Sequence, residues 1–98
     1  DLSPKEVSAV RSSVTREFRE QLNQLPSEVQ EQAARAYELW QSDPYHPSLQ
    51  FKRVSRRQPI YSVRVGIGYR ALGYREDDHL FWFWIGSHAE YDSLLKRF

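Results

Sequence analysis

Apolar residues recur every three to four positions through the first half of the chain and at alternate positions through much of the second, so helices should precede strands. Phe18, Leu22 and Leu25 follow Thr15, a residue type that caps helices, and Pro26 ends that run. Ser27 with Gln30 makes a capping box, after which Val29, Ala33, Ala36, Tyr37 and Trp40 form an apolar stripe to about Gln41. The two runs read as a helical hairpin. Ahead of them, Ser3-Pro4-Lys5-Glu6 reads as a helix start with Leu2 and Val7 at staple positions. Residues 11 to 14 are short and partly β-branched, as in an edge strand.

The stretch Ser42-Asp43-Pro44-Tyr45-His46-Pro47-Ser48, with its two prolines, predicts a loop. Beyond it Leu49 to Val54 reads as a first strand and Ile60 to Val65 as a second, with Tyr61, Val63 and Val65 on one face and Ser62 and Arg64 on the other. Gly66-Ile67-Gly68 turns the chain into a third strand, Tyr69 to Tyr74. A polar turn from Arg75 to His79 leads to a fourth, Leu80 to Ile85, which is apolar on both faces and therefore central. Gly86 is expected to break it. Ser87 and Glu90 form a further capping box, opening a last helix with Tyr91, Leu94, Leu95 and Phe98 on its apolar side. The expected fold is α+β: an N-terminal helical hairpin packed on a four-stranded antiparallel sheet, followed by a C-terminal helix.

Length adds a bound: 98 residues suffice for one core, so residues 1–98 are expected to form a single domain, with 1–10 as an N-terminal extension. Cysteine is absent, which excludes disulfides, thiolate metal sites and cysteine nucleophiles and suits a reducing compartment. With no apolar run of span length and no signal-peptide pattern, a soluble cytoplasmic protein without a membrane partner is expected. Methionine is also absent, so the natural start is expected to lie elsewhere.

The net charge of +1 conceals a segregation. Residues 1–43 carry five basic and eight acidic groups, and residues 76–98 carry two and five. Between them stand Lys52, Arg53, Arg56, Arg57, Arg64, Arg70 and Arg75 with no Asp or Glu, a local charge of +7. In the strand reading Lys52, Arg64 and Arg70 come from three strands of one sheet, and the hairpin from Ser55 to Pro59 adds Arg56 and Arg57. Such a surface would neutralise several phosphates, with affinity falling as salt rises. A charged solvent face of an antiparallel sheet is the plainer explanation, and the missing acids tip the balance toward a ligand.

His88 would occupy the first helical position after Ser87, where unpaired N–H groups and the helix dipole favour an anion such as phosphate. Tyr91 and Asp92 follow three and four residues later, on neighbouring positions of the same helix. Metal-free RNA cleavage needs a proton acceptor for the 2′-hydroxyl, a cation for the charged phosphorane and a proton donor for the leaving oxygen. His88, Arg70 and Tyr91 are of those types. Taken alone, a histidine at a helix start is more often a polar cap residue with no chemical role.

Other motifs carry less. Gly66-Ile67-Gly68-Tyr69-Arg70-Ala71 matches G-x-G-x-x-A in form, yet strand-like sequence follows where a helix is required. His46, His79 and His88 lack metal-ligand spacing, so no metal and no cofactor is expected. Phe81-Trp82-Phe83-Trp84 is better explained as core than as a base-stacking platform.

The words Tyr45-His46-Pro47-Ser48-Leu49-Gln50-Phe51-Lys52, Tyr61-Ser62-Val63-Arg64, Tyr69-Arg70-Ala71-Leu72-Gly73 and Trp82-Phe83-Trp84-Ile85-Gly86-Ser87-His88-Ala89-Glu90-Tyr91-Asp92 together resemble the RelE/ParE superfamily of type II toxin–antitoxin toxins. The match spans about residues 11 to 98 and is specific in order and spacing. The resemblance implies a helical hairpin on an antiparallel sheet, a C-terminal helix and a cognate antitoxin that wraps the toxin. For a RelE-like mRNA interferase it implies that Arg70, in the word Tyr69-Arg70, contacts the reacting phosphate. It further implies that Lys52 and Arg64 add charge from preceding strands, and that His88 and Tyr91 supply acid–base groups just after the last strand. Arg53, Arg56 and Arg57 join them as RNA-binding residues, with mRNA and the ribosome as partners. A net charge of +1 departs from the strongly basic RelE pattern. It leaves open the ParE-like alternative, a DNA gyrase inhibitor without nuclease activity, and an inactive relative.

Overall fold

The computed structural model describes residues 11–98, so the helix start read at Ser3 to Glu6 lies outside the described residues. The elements are β1 (Arg11–Val14), α1 (Arg16–Asn23), α2 (Ser27–Ser42), a 3-10 turn (Pro47–Leu49), β2 (Lys52–Arg53), β3 (Ile60–Val65), β4 (Tyr69–Glu76), β5 (His79–Ser87) and α3 (His88–Leu95). The α+β class and the order of helices and strands are those the periodicity predicts. The sheet differs: it has five strands in the order β1-β5-β4-β3-β2, and β1 lies parallel to β5, so it is mixed rather than four-stranded and antiparallel. The edge-strand reading of residues 11 to 14 is correct, and it supplies the fifth strand.

Local chemistry explains the helix ends. Thr15 caps α1, its Oγ1 accepting the Phe18 N–H at 3.1 Å. The capping box expected at Ser27 does not form, because α2 begins at Ser27 itself and Pro26 occupies the cap. The Gln30 amide instead donates to the Leu25 carbonyl at 2.9 Å, tying the hairpin turn. At α3 the box forms in full: Ser87 Oγ accepts the Glu90 N–H and Glu90 Oε1 accepts the Ser87 N–H.

The strand bounds are corrected at three places. The first strand shrinks from Leu49–Val54 to Lys52–Arg53, because His46 Nδ1 accepts the Ser48 N–H, Pro47–Leu49 coils, and Gln50 turns left-handed at φ 48°. The polar turn after the third strand contracts to Asp77-Asp78, with Asp77 at φ 57°, so β4 and β5 are longer than predicted. Gly86 does not end β5, which runs on to Ser87 with Gly86 paired to Arg70.

One face of the sheet carries the hairpin. Trp40, 1% exposed, stands edge-on to Trp82 at 5.3 Å and to Phe51 at 5.7 Å, with Phe18, Val63, Val65, Ala71, Leu80 and Ile85 around them. A bulge sets this packing: Gly73 pairs with Trp82 and Leu72 with Trp84, leaving Phe83 unpaired, so Trp82 and Ile85 face the same side despite being three apart. The reading of β5 as apolar on both faces holds, and the aromatic run is largely core. An apolar cavity of about 180 Å³ remains between hairpin and sheet. The opposite face carries a smaller cluster of Ile60, Leu72 and Tyr91, onto which α3 packs through Leu94, Leu95 and Phe98. No helix among the described residues is long and apolar enough to cross a membrane.

Candidate functional site

The face under α3 presents the cations. Strand alternation places Ile60, Ser62 and Arg64 of β3 on that side, opposite Tyr61, Val63 and Val65, as the sequence predicts. Register then lines residues up across strands. Lys52 pairs with Ser62, Ser62 with Leu72, and Leu72 with Trp84; in the next row of that face Arg64 pairs with Arg70, and Arg70 with Gly86. Two arginines directly opposite each other have Cα atoms about 5 Å apart, a like-charge pairing that costs stability unless an anion lies between them. The row ends on a residue without a side chain. A Cβ at Gly86 would lie 2.6 Å from the Trp84 ring and 2.9 Å from Glu90 Oε1, so only glycine lets those side chains close over the strand beside Arg70.

The start of α3 delivers His88 to this face, pinned by its N–H donating to the Gly68 carbonyl at 2.8 Å. The His88 ring lies 5.8 Å from the Tyr91 ring, and the Arg70 guanidinium lies 5.9 Å from the centre of that same ring. Tyr91 thus touches both groups. Its side chain is only 6% exposed and its hydroxyl donates to Ser62 Oγ at 3.1 Å, with both residues buried. In this geometry the Tyr91 hydroxyl is engaged by Ser62 and its ring lies against Arg70 and His88. Asp92 Oδ2 sits 3.4 Å from His88 Nε2, both half-exposed, and orients the imidazole.

The remaining basic residues divide. Arg56 and Arg57 are exposed in the loop between β2 and β3, where the Arg56 carbonyl accepts from Arg53 Nη2. Arg53 pairs with Tyr61 and so projects to the hairpin side, its Nε donating to the Ser55 carbonyl at 2.8 Å. Arg75 lies over the Tyr61 ring on that side as well. The α3-side face therefore gathers Lys52, Arg64, Arg70, His88 and Tyr91, while Arg56 and Arg57 stay in the loop between β2 and β3 and Arg53 turns to the other face. Gly66-Ile67-Gly68 forms the β3–β4 turn and opens no helix, which agrees with the rejection of the nucleotide fingerprint. Ser62 was legible only as an outward polar residue, since nothing local in the sequence announces its bond to Tyr91. Among the described residues no group of three or more His, Asp or Glu side chains is gathered to hold a metal ion.

A helical hairpin on one face of a small sheet is the fold this chain shares with solved RelE toxins. The RelE–RelB antitoxin–toxin complex of Methanococcus jannaschii superposes with a TM-score of 0.66 at 16% identity, covering 83% of this chain and 95% of that one. The isolated Escherichia coli RelE toxin matches with a TM-score of 0.60 at 20% identity, over 91% of this chain and 98% of that one. The RelE–RelB complex of Pyrococcus horikoshii matches at 0.63 and 13% identity, over 81% and 94%. A sequence comparison with curated proteins finds no match. The family model of the ParE-like toxin domain matches residues 27–93, and the chain belongs to that family of RelE/ParE-superfamily toxins.

Proposed function

We propose that the chain is the toxin of a type II toxin–antitoxin system and that it inhibits translation by cutting mRNA as a metal-independent endoribonuclease. The observation that carries this reading is the Arg64–Arg70 pair, directly opposed on one sheet face and joined through the Tyr91 ring to His88. A phosphodiester seated on that pair would have its developing phosphorane charge offset by two guanidinium groups. His88 accepts the 2′-hydroxyl proton as the 2′-oxygen bonds to phosphorus. The bond from phosphorus to the 5′-oxygen then breaks, and that oxygen takes a proton, which the Lys52 ammonium in the neighbouring row is able to donate. The products are a 2′,3′-cyclic phosphate and a 5′-hydroxyl.

Lys52, Arg56 and Arg57 extend the charge along the RNA strand. A cognate antitoxin is the second partner: two of the matching structures are RelE–RelB complexes, and an acidic antitoxin segment would complement this face. The reading places the protein in the cytoplasm, where mRNA and ribosomes are. Gyrase inhibition would draw on the apolar residues of α3, but Leu94, Leu95 and Phe98 are packed against the second core, which favours the nuclease. The test is to express the chain without a partner and map new RNA 5′ ends, beside an Arg70→Ala control. Cuts that vanish in the control support the proposal, and their confinement to translated frames would assign the ribosome as the place of action. Growth arrest without new ends would point to gyrase inhibition, and no arrest to an inactive relative.

A further inference from the structure

A second cluster of positive charge lies around the end of the sheet from Arg70. The cleft between α2 and the β3–β4 turn, about 350 Å³, is lined by Arg35 from α2, Ser48 from the 3-10 turn, and Arg64, Gly66 and Ile67 from the β3 end. No acidic residue lines it. Arg35 is exposed and makes no ion pair among the described residues, although Glu31 and Glu38 lie one turn away on either side of it along α2. Arg64 is oriented by its Nε donating to the Gly66 carbonyl at 2.9 Å. Two guanidinium groups lining one cleft repel unless an anion lies between them.

We propose that this cleft is a second phosphate subsite, which takes an RNA phosphate next to the one held at Arg70. The proposal rests on the ribonuclease reading. Arg64 belongs to both places: it lines the cleft and stands opposite Arg70 in the β3–β4 register. An RNA strand leaving Arg70 past that end of the sheet would cross the Gly66-Ile67-Gly68 turn, where Ile67, 85% exposed, offers apolar surface on which a base can rest. The His88 backbone N–H and the Arg64 Nε donate to the Gly68 and Gly66 carbonyls and hold the turn from both sides.

The test is fluorescence anisotropy with a single-stranded RNA made uncleavable by 2′-O-methylation, titrated with the full chain across a salt series. Arg35→Ala removes one phosphate contact. It should weaken binding up to about fivefold and reduce the slope of log affinity against log salt by about 0.7. Arg19→Ala, an equal loss of charge on the exposed surface of α1, should change neither. With a dinucleotide, which has a single internal phosphate, Arg35→Ala should bind as the parent does. A salt slope unchanged by Arg35→Ala, or reduced equally by Arg19→Ala, overturns the subsite while leaving the ribonuclease reading intact. Absence of RNA binding by the parent chain overturns both.

Discussion

The two faces of the sheet are made from the same strands and spend their residues differently. On the hairpin side β3, β4 and β5 contribute Val63, Val65, Ala71, Leu80, Trp82 and Ile85, all nearly removed from water. On the α3 side the intervening positions carry Ser62, Arg64 and Arg70, and α3 covers the face only in part. The first arrangement is stabilised by apolar burial, at roughly 25 cal/mol per Å². The second sets like charges side by side, which lowers stability unless an anion lies between them. The larger core and the proposed reacting surface thereby lie on opposite faces, with only the smaller cluster of Ile60, Leu72 and Tyr91 under α3, and substitutions can separate them.

The largest expected effect is on the hairpin face. Trp82→Ala would leave a cavity beside Trp40, adding to the one already present, and should cost about 3–5 kcal/mol, read as a fall in the thermal unfolding midpoint with loss of every activity. His88→Ala should slow RNA cleavage by about 10²- to 10⁴-fold without moving the unfolding midpoint. An unchanged rate removes His88 from the mechanism. Ser62→Ala lies between the two classes: it strands the buried Tyr91 hydroxyl and should cost about 1–3 kcal/mol, and it should also slow cleavage by loosening the ring beneath Arg70. Tyr91→Phe keeps that ring and should reduce cleavage by less than tenfold, which separates a support from a proton donor; a loss as large as that of His88→Ala would restore the donor role. The smallest effect on stability belongs to Lys52→Ala, which should leave it within about 0.5 kcal/mol, lower the salt slope of RNA binding by about 0.7 and, with the donor to the 5′-oxygen removed, slow cleavage by about 10²-fold.

Most of this division was legible in the chain. Alternation in Tyr61-Ser62-Val63-Arg64-Val65 fixes which side of β3 is core, and the absence of acids from residues 44 to 75 marks the strands that carry the charge. The features that escaped are set by tertiary contacts or by single backbone angles. The bulge at Phe83 is invisible to a period of two, the left-handed Gln50 shortens the first strand, and β1 joins β5 through pairing across most of the chain length. Within the candidate site, residue type and position single out Arg70 and His88, and both lie against the Tyr91 ring. The burial of Tyr91, its bond to Ser62 and the turning away of Arg53 required the packed structure, because each depends on what stands opposite in register.

The measurement closest to the central claim is single-turnover cleavage of a defined RNA by the purified chain in the presence of a chelator, with Arg70→Ala and a 2′-deoxy substrate alongside. The account predicts cleavage that yields a 2′,3′-cyclic phosphate, falls about 10²- to 10³-fold in Arg70→Ala at an unchanged unfolding midpoint, and stops where the 2′-hydroxyl is missing. Cleavage that survives the loss of Arg70 or of the 2′-hydroxyl would contradict the assignment of the α3-side face as the reacting surface.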